Sequence, residues 1–111
     1  MSRSQLDRLR DIRAACQAIA EYAAADDERG LVFDAMRIRL VEIGEAVKDL
    51  DPATRELAPG IPWDEIARMR DLLTHRYFDA THAIVFATAR TDVPVLSESV
   101  ERMIERLDGP A

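Results

Sequence analysis

The sequence lacks the patterns that build β-sheets, disulfides and membrane spans. It has one cysteine, Cys16, so no disulfide can form within the chain, and this usage is typical of a reducing compartment. Aromatic residues make up 5% of the chain, and four glycines leave few tight turns. No apolar run approaches the ~20 residues of a membrane span, and the charged first segment lacks the apolar core of a signal peptide. We therefore expect a soluble, cytoplasmic, all-α protein without a membrane segment.

Basic residues are outnumbered by acidic ones, 15 to 21, and almost none of them is lysine. The formal net charge is −6, and Lys48 is the only lysine among the 15 basic residues. An extended nucleic-acid surface needs many cations to neutralise phosphates, so the composition disfavours one. Any RNA binding must therefore depend on a local group of basic residues. An acidic exterior could instead bind a basic partner protein.

The hydrophobic pattern predicts about five helices in a single domain over residues 1–111. Apolar residues recur at three- and four-residue steps over 4–25 and 27–50, which predicts two long helices in an antiparallel hairpin. Asp51 and Pro52 start a short helical turn, and prolines at 59 and 62 end that segment. Further helices are predicted at 62–78, 79–90 and 94–107, the last with Asp92 as its N-cap. The fold class is therefore an antiparallel helical bundle, and dimerisation would cover surface that so short a chain leaves unburied.

The helix predicted at 62–78 separates polar from apolar residues most clearly. At about 100° per residue, the apolar side chains fall on one arc, which should pack into the core. The opposite face displays two guanidinium groups, a carboxylate, an imidazole and a phenol. The apolar set is Ile66, Met69, Leu72 and Leu73, and the polar set is Arg68, Arg70, Asp71, Thr74, His75 and Tyr77, with Arg76 at the rim.

This polar face suits metal-free cleavage of RNA. A histidine such as His75 can take a proton from a 2′-hydroxyl or return one to a leaving 5′-oxygen. Arg70 can hold and stabilise the phosphate, while Asp71, four residues before His75, can orient the imidazole. Arg70 and His75 diverge by about 140° on one helix. They would therefore meet on one phosphate most easily across a groove shared with a second copy, which predicts a homodimer.

Other site classes fit the sequence less well. His75 and His82 are the only histidines, and neither has a second ligand at a recognised metal spacing, so we expect no metal and no cofactor. Glycine-rich phosphate loops and serine or cysteine nucleophile motifs are missing. Trp63 is interpreted as an anchor for the loop before its helix, and Cys16 as a small core residue.

The segment also resembles a known family. Arg70, His75 and Tyr77 fill the Arg-x4-His-x-Tyr pattern of the HepT-like branch of the HEPN superfamily. The lead-in from Ile61 to Met69 and the stretch Ile43-Gly44-Glu45-Ala46 are similar to that branch as well. The resemblance spans essentially the whole chain, and residues 61–77 are its specific part. The residue after the arginine is often Asn in HEPN nucleases. Here it is Asp71, whose charge would repel phosphate unless His75 or an arginine neutralises it.

The resemblance implies a helical, dimeric, metal-independent endoribonuclease toxin of a type VII toxin–antitoxin system. Two Arg/His sets would line the cleft of the homodimer, and RNA would be the substrate. The partner would be an MntA-like minimal nucleotidyltransferase, the antitoxin, which inactivates such toxins by attaching AMP to the motif tyrosine, here Tyr77. Arg68 and Arg76 are possible additional RNA contacts.

Several alternatives remain open from the sequence. The chain could be a non-catalytic HEPN module that docks a nucleotidyltransferase or its substrate, an assignment that the acidic charge favours. Asp71 could be an ion-pair partner of His75 without a catalytic share, and Tyr77 could be a phenol packed at the helix end. Arg37 and Arg39 could extend a phosphate track, that is, a row of cations that binds successive RNA phosphates, or they could be ordinary surface charges.

Overall fold

The computed structural model describes residues 3–24, 31–74 and 85–109, and these residues are almost entirely helical. No strand occurs in those three stretches, so the predicted all-α class is confirmed. No helix in the same stretches is long and apolar enough to cross a membrane. The helices are α1 (Arg3–Ala24), α2 (Leu31–Lys48), α3 (Pro52–Arg55), α4 (Trp63–Thr74) and α5 (Val93–Asp108), and a π-helical segment, Thr88–Asp92, precedes α5.

α1 lies between α2 and α5 and runs antiparallel to both. Its buried stripe includes Leu9, Ile12, Cys16 and Ile19, as the three- and four-residue spacing predicts. At its start, the buried Gln5 side chain donates to the carbonyl of Asp49 (3.0 Å) and accepts from the amide of Asp51 (2.9 Å). One amide group therefore joins the start of α1 to the end of α2.

α2 packs against both α1 and α4 and so joins α4 to the rest of the bundle. Its buried side chains are Phe33, Met36, Leu40, Ile43, Ala46 and Val47. The short α3 follows directly, and its N-cap is Asp51, whose carboxylate accepts from the amide of Thr54 at 2.8 Å. This hydrogen bond lowers the pKa of the Asp51 carboxyl below its usual value. The predicted helical turn at Asp51-Pro52 is thus confirmed.

The start of α5 corrects a sequence prediction. We expected Asp92 to be an N-cap that separates two helices, but its backbone is helical and its side chain makes no capping hydrogen bond. The chain instead passes from the π-helical segment straight into α5, where the amide of Val93 donates to the carbonyl of Thr88. Pro94 has no amide hydrogen and would clash with a regular α-helical turn, and the wider π turn relieves that conflict.

Candidate functional site

The position of α4 is fixed at its first residue by Trp63. The buried indole Nε1 donates to the carbonyls of Arg55 and Ala58, each at 3.1 Å. Arg55 adds a hydrogen bond from Nη2 to the carbonyl of Val47 (2.9 Å) and an ion pair from Nη1 to Asp64 (3.0 Å). These contacts tie the loop, α2 and α4 together, which confirms Trp63 as a structural anchor.

Farther along α4, the helix comes into close contact with α2 at Gly44. A methyl group added to Gly44 would lie 2.8 Å from Cβ of Arg70 and 3.3 Å from the carbonyl oxygen of Ile66. Both distances are shorter than an ordinary van der Waals contact, so only glycine permits this approach. The absence of a side chain at Gly44 therefore determines where Arg70 leaves the surface of the bundle.

The guanidinium of Arg70 lies between two carboxylates. Its Nε pairs with Glu45 of α2, and its Nη1 contacts Oδ1 of Asp71 at 3.1 Å. The Arg70 side chain remains 37% exposed, so part of its donor fork faces solvent. Arg70 is thus both held in place by α2 and accessible at the surface.

A second cation reaches the same carboxylate from α2. Nζ of Lys48 lies 3.7 Å from Oδ1 of Asp71, the oxygen that Arg70 also contacts. The four charged side chains, Glu45, Lys48, Arg70 and Asp71, form a group that we call the α2–α4 charge cluster. Its two positive and two negative charges balance, and its members are all at least one third exposed.

The structure describes only part of the predicted site. Arg70 and Asp71 lie in α4 and are in contact, and Arg68, which is exposed, lines a cleft with Trp63 and Asp64. His75, Arg76, Tyr77 and His82 lie outside the described residues. The expected contact between Asp71 and His75 therefore stays a prediction.

The apolar arc predicted for α4 is partly wrong. Leu73 is buried, and Ile66 and Met69 are half-buried against the core. Leu72, which we placed on the same arc, is 41% exposed. Among the described helices, α4 packs mainly against α2, and this contact leaves part of the apolar arc uncovered.

Arg37 and Arg39 make structural contacts. Nη1 of Arg37 donates to the carbonyl of Leu73 at 2.9 Å, near the end of α4, where helical carbonyls lack partners within the helix. Arg39 pairs with Glu42 at 2.9 Å and contacts the hydroxyl of Tyr22 at 3.3 Å. These partners raise the pKa of Arg39. The contacts support the ordinary structural alternative over a phosphate track.

Sequence reasoning did not select Glu45 or Lys48 as site residues. One signal was present in the sequence, namely Gly44 in the middle of a predicted helix. A glycine there costs about 1 kcal/mol of helix stability relative to alanine, so it usually marks a position where another element packs closely. Here that element is α4, and the contact also brings Glu45 and Lys48 to the polar face of α4. No property of the α2 sequence alone indicates which helix it contacts.

The cluster can exchange one anion for another. Exposed ion pairs contribute little to stability, so a phosphate can compete with Asp71 or Glu45 for the guanidinium. Arginine binds phosphate oxygens with two parallel donors, a geometry that suits a charged tetrahedral group. In the three described stretches, no group of three or more His, Cys, Asp or Glu side chains is arranged to hold a metal ion.

Comparison with known proteins identifies the family of the chain. Residues 5–103 match the family model described as ribonuclease HepT-like. A protein named "Probable ribonuclease HepT" from Thermococcus cleftensis is 36% identical over 108 residues, which cover 93% of this chain and 98% of that protein. A protein named "Putative RNase" from Methanocaldococcus jannaschii is 35% identical over 89 residues, 80% of this chain and 73% of that protein.

A third relative, a "Putative RNase" from Caldanaerobacter subterraneus, is 40% identical over 70 residues, 62% of each chain. No solved structure matches the chain. The family match spans most of α1 to α5 and includes Gly44, Arg70 and Asp71. The chain therefore belongs to the HepT-like ribonuclease family.

Proposed function

We propose that the chain is a metal-independent endoribonuclease toxin of a type VII toxin–antitoxin pair. The observation that supports this most directly is the placement of Arg70. Its guanidinium is fixed by the Gly44 contact and by Glu45, yet remains partly exposed at the surface of α4. A pre-positioned arginine is what phosphoryl chemistry requires, because its donors then need not reorganise as charge develops on the phosphate.

The proposed reaction needs only protein side chains. The imidazole of His75 takes the proton of the RNA 2′-hydroxyl, and the 2′-oxygen attacks the adjacent phosphorus. The bond from phosphorus to the 5′-oxygen breaks, and the proton returns to that leaving oxygen. Arg70 holds the phosphate and stabilises the extra negative charge in the transition state, while Asp71 orients His75. The products are a 2′,3′-cyclic phosphate and a free 5′-hydroxyl.

We further propose that two copies share the site. If the helix continues to His75, Arg70 and His75 would be about 140° apart around its axis, so a cleft between two copies would let an arginine of one copy serve the histidine of the other. Arg68, which has no ion-pair partner among the residues that the structure describes, and Arg76 would extend the RNA contacts. The antitoxin would be a minimal nucleotidyltransferase that adds AMP to Tyr77.

Cleavage assays with purified protein test this function. His75→Ala should reduce RNA cleavage by ~10²–10⁴-fold, the usual effect of losing a general acid or base. Arg70→Ala should reduce it by ~10²–10³-fold, the effect of removing a donor that stabilises developing charge. Arg106→Gln, which removes an exposed cation from α5, is the matched control and should cleave RNA at the wild-type rate.

Two further readouts separate the proposal from its alternatives. EDTA should have no effect, and dependence on a divalent metal would contradict the metal-free mechanism. A wild-type protein that binds the nucleotidyltransferase but cleaves no RNA, and that does not inhibit growth without it, would instead support the non-catalytic docking module. The net charge of −6 is the observation that favours that second candidate.

A further inference from the structure

Two cations from different helices converge on one carboxylate oxygen in the α2–α4 charge cluster. Nη1 of Arg70 lies 3.1 Å from Oδ1 of Asp71, and Nζ of Lys48 lies 3.7 Å from the same atom. An anionic oxygen therefore lies between these cations, within hydrogen-bond distance of Arg70 and ion-pair distance of Lys48. Asp71 supplies that oxygen from an exposed position, since its side chain is 57% accessible to solvent.

The charge balance gives Lys48 a role that Arg70 cannot fill alone. Glu45 and Asp71 both contact Arg70, so a phosphate approaching that arginine without Lys48 would meet a net negative charge. Lys48 offsets that charge at the position where the phosphate would bind. The helix dipole of α2 explains only why a cation such as Lys48 is favourable in the last turn of that helix. It does not explain why Lys48 contacts Asp71 of α4.

Lys48 also differs from the other paired cations of the described chain. Arg10, Arg13 and Arg55 each pair with an acid on a neighbouring element, and no second cation contacts the same oxygen. At Asp71 alone among the ion pairs of the described residues, a lysine and an arginine from two helices share one acceptor oxygen. The geometry is that of a two-point anion site.

We propose that Lys48 and Arg70 form a phosphate-binding pair for the RNA backbone, and that Oδ1 of Asp71 occupies the place of a phosphate oxygen in the free protein. This inference rests on the proposed ribonuclease function and assigns Lys48 a substrate-binding role. When RNA binds, the carboxylate of Asp71 rotates away from the two cations. Lys48 contacts a phosphate without taking part in proton transfer.

The test measures binding separately from cleavage. The probe is a fluorescein-labelled, single-stranded 2′-O-methyl RNA dodecamer, which lacks the attacking hydroxyl and cannot be cut. Fluorescence anisotropy gives its Kd at several salt concentrations. Each phosphate contact on a single strand adds about 0.7 to the slope of log Kd against log salt concentration, so Lys48→Met should weaken binding and lower the slope by about that amount. Lys48→Arg should preserve both values.

Two more variants sharpen the result. Asp71→Asn removes the competing anion, so it should bind the probe more tightly than wild type even though its cleavage rate falls. Arg106→Gln removes one charge from α5 and should leave Kd and slope unchanged. A Lys48→Met protein with wild-type Kd and slope, or an equal loss in Arg106→Gln, would overturn the phosphate-binding pair. Circular dichroism should confirm that all variants remain helical.

Parallel cleavage of unmodified RNA separates this inference from the proposed function. Lys48→Met should raise KM and largely retain kcat, whereas Arg70→Ala should lower kcat as well. If wild type cleaves RNA and Lys48→Met has the same kcat and KM, the phosphate-binding pair is wrong and the proposed ribonuclease function is retained. If wild type binds the probe through Lys48 but does not cleave RNA, the proposed catalytic function is wrong and the phosphate-binding pair is supported. Absence of any RNA binding by wild type overturns both.

Discussion

Gly44 and Arg70 mark a close contact between α2 and α4, since a methyl group added at Gly44 would lie only 2.8 Å from Cβ of Arg70. The carbonyl oxygen of Ile66 lies 3.3 Å from the same point, so backbone as well as side chain would have to move. A packing contact of the bundle is thus also what positions the candidate catalytic arginine. Stability and activity should change together at this position.

Gly44→Ala should therefore both destabilise the protein and impair cleavage. Overpacking of this kind costs about 1–3 kcal/mol, and the better helix propensity of alanine returns up to about 1 kcal/mol. The displaced α4 would carry Arg70 away from its position beside Glu45. Urea denaturation and an RNA cleavage assay should both report losses.

Gly60→Ala is the matched control for that substitution. No atom lies within 4 Å of a methyl group added at Gly60. Alanine also lowers the entropy of the unfolded chain, so this variant should be as stable as wild type or more stable by about 0.4–1 kcal/mol. Equal effects of the two alanine substitutions would contradict the steric argument.

Trp63→Phe tests whether the start of α4 depends on the indole hydrogen bonds. Phenylalanine keeps most of the packing but removes the donor shared by the carbonyls of Arg55 and Ala58. We expect a loss of roughly 1–3 kcal/mol in the free energy of unfolding, from the hydrogen bonds and the smaller ring together. The measurement should use circular dichroism, because Trp63 is the only tryptophan. Wild-type stability would show that packing alone fixes the helix start.

Cys16 should behave as an inert core thiol. Burial raises its pKa from 9.0 to about 12, because the thiolate would lose its hydration. The native protein should therefore resist an aromatic disulfide reagent at pH 8, and the thiol should react at the rate of global unfolding. Rapid labelling under native conditions would contradict this burial.

The same shift gives a pH dependence with a defined sign. Because the folded pKa is the higher one, the folded state retains the Cys16 proton where the unfolded state loses it. The stabilisation from this group is complete below about pH 9 and is lost as the pH rises toward about 12. Cys16→Ala should flatten the fall in stability over this alkaline range, and an unchanged profile would count against the assignment.

Most of the fold, but only part of the site, follows from the sequence. Periodicity identifies the buried stripe from Leu9 to Ile19, since a regular helix assigns each residue to a face, and Pro62 predicts the start of α4 to within one residue. Periodicity does not give the angle at which a neighbouring helix covers that face, so the exposure of Leu72 was predicted wrongly. The contacts of Glu45 and Lys48 depend on how α2 packs against α4, and no local sequence pattern predicts that packing.

Dimerisation should depend on exposed apolar side chains of α2 and α4. Ile38 of α2 is 53% exposed, and Leu72 of α4 is 41% exposed next to Asp71. Light scattering should report a dimer for wild type and a monomer for Leu72→Glu, since a buried unpaired carboxylate is costly. Val95→Glu on α5, where Val95 is also exposed, should stay dimeric. A clean wild-type monomer would contradict the shared site.

Complementation between inactive variants tests the shared site directly. In a mixed dimer of Arg70→Ala and His75→Ala chains, one of the two sites receives an intact arginine from one copy and an intact histidine from the other. Mixing the two inactive proteins under conditions that exchange subunits should therefore restore part of the RNA cleavage. No recovery in a verified mixed dimer would mean that each site uses both residues of one chain.

Control by the nucleotidyltransferase should act at Tyr77. On a continuous helix, Tyr77 follows Arg70 by almost two turns and projects over the same face. An AMP attached to its hydroxyl adds a phosphodiester anion that can pair with Arg70 in place of RNA, and the nucleotide also obstructs the cleft. Incubation with the cognate enzyme, ATP and magnesium should add AMP to Tyr77, detected by peptide mass spectrometry, and abolish RNA binding without loss of helicity.

Tyr77→Phe should remain an active nuclease that the enzyme cannot silence, and Tyr22→Phe, in the α1 contact with Arg39, should still be silenced. An adduct at another residue, or silencing of Tyr77→Phe by modification, would show that the switch lies elsewhere.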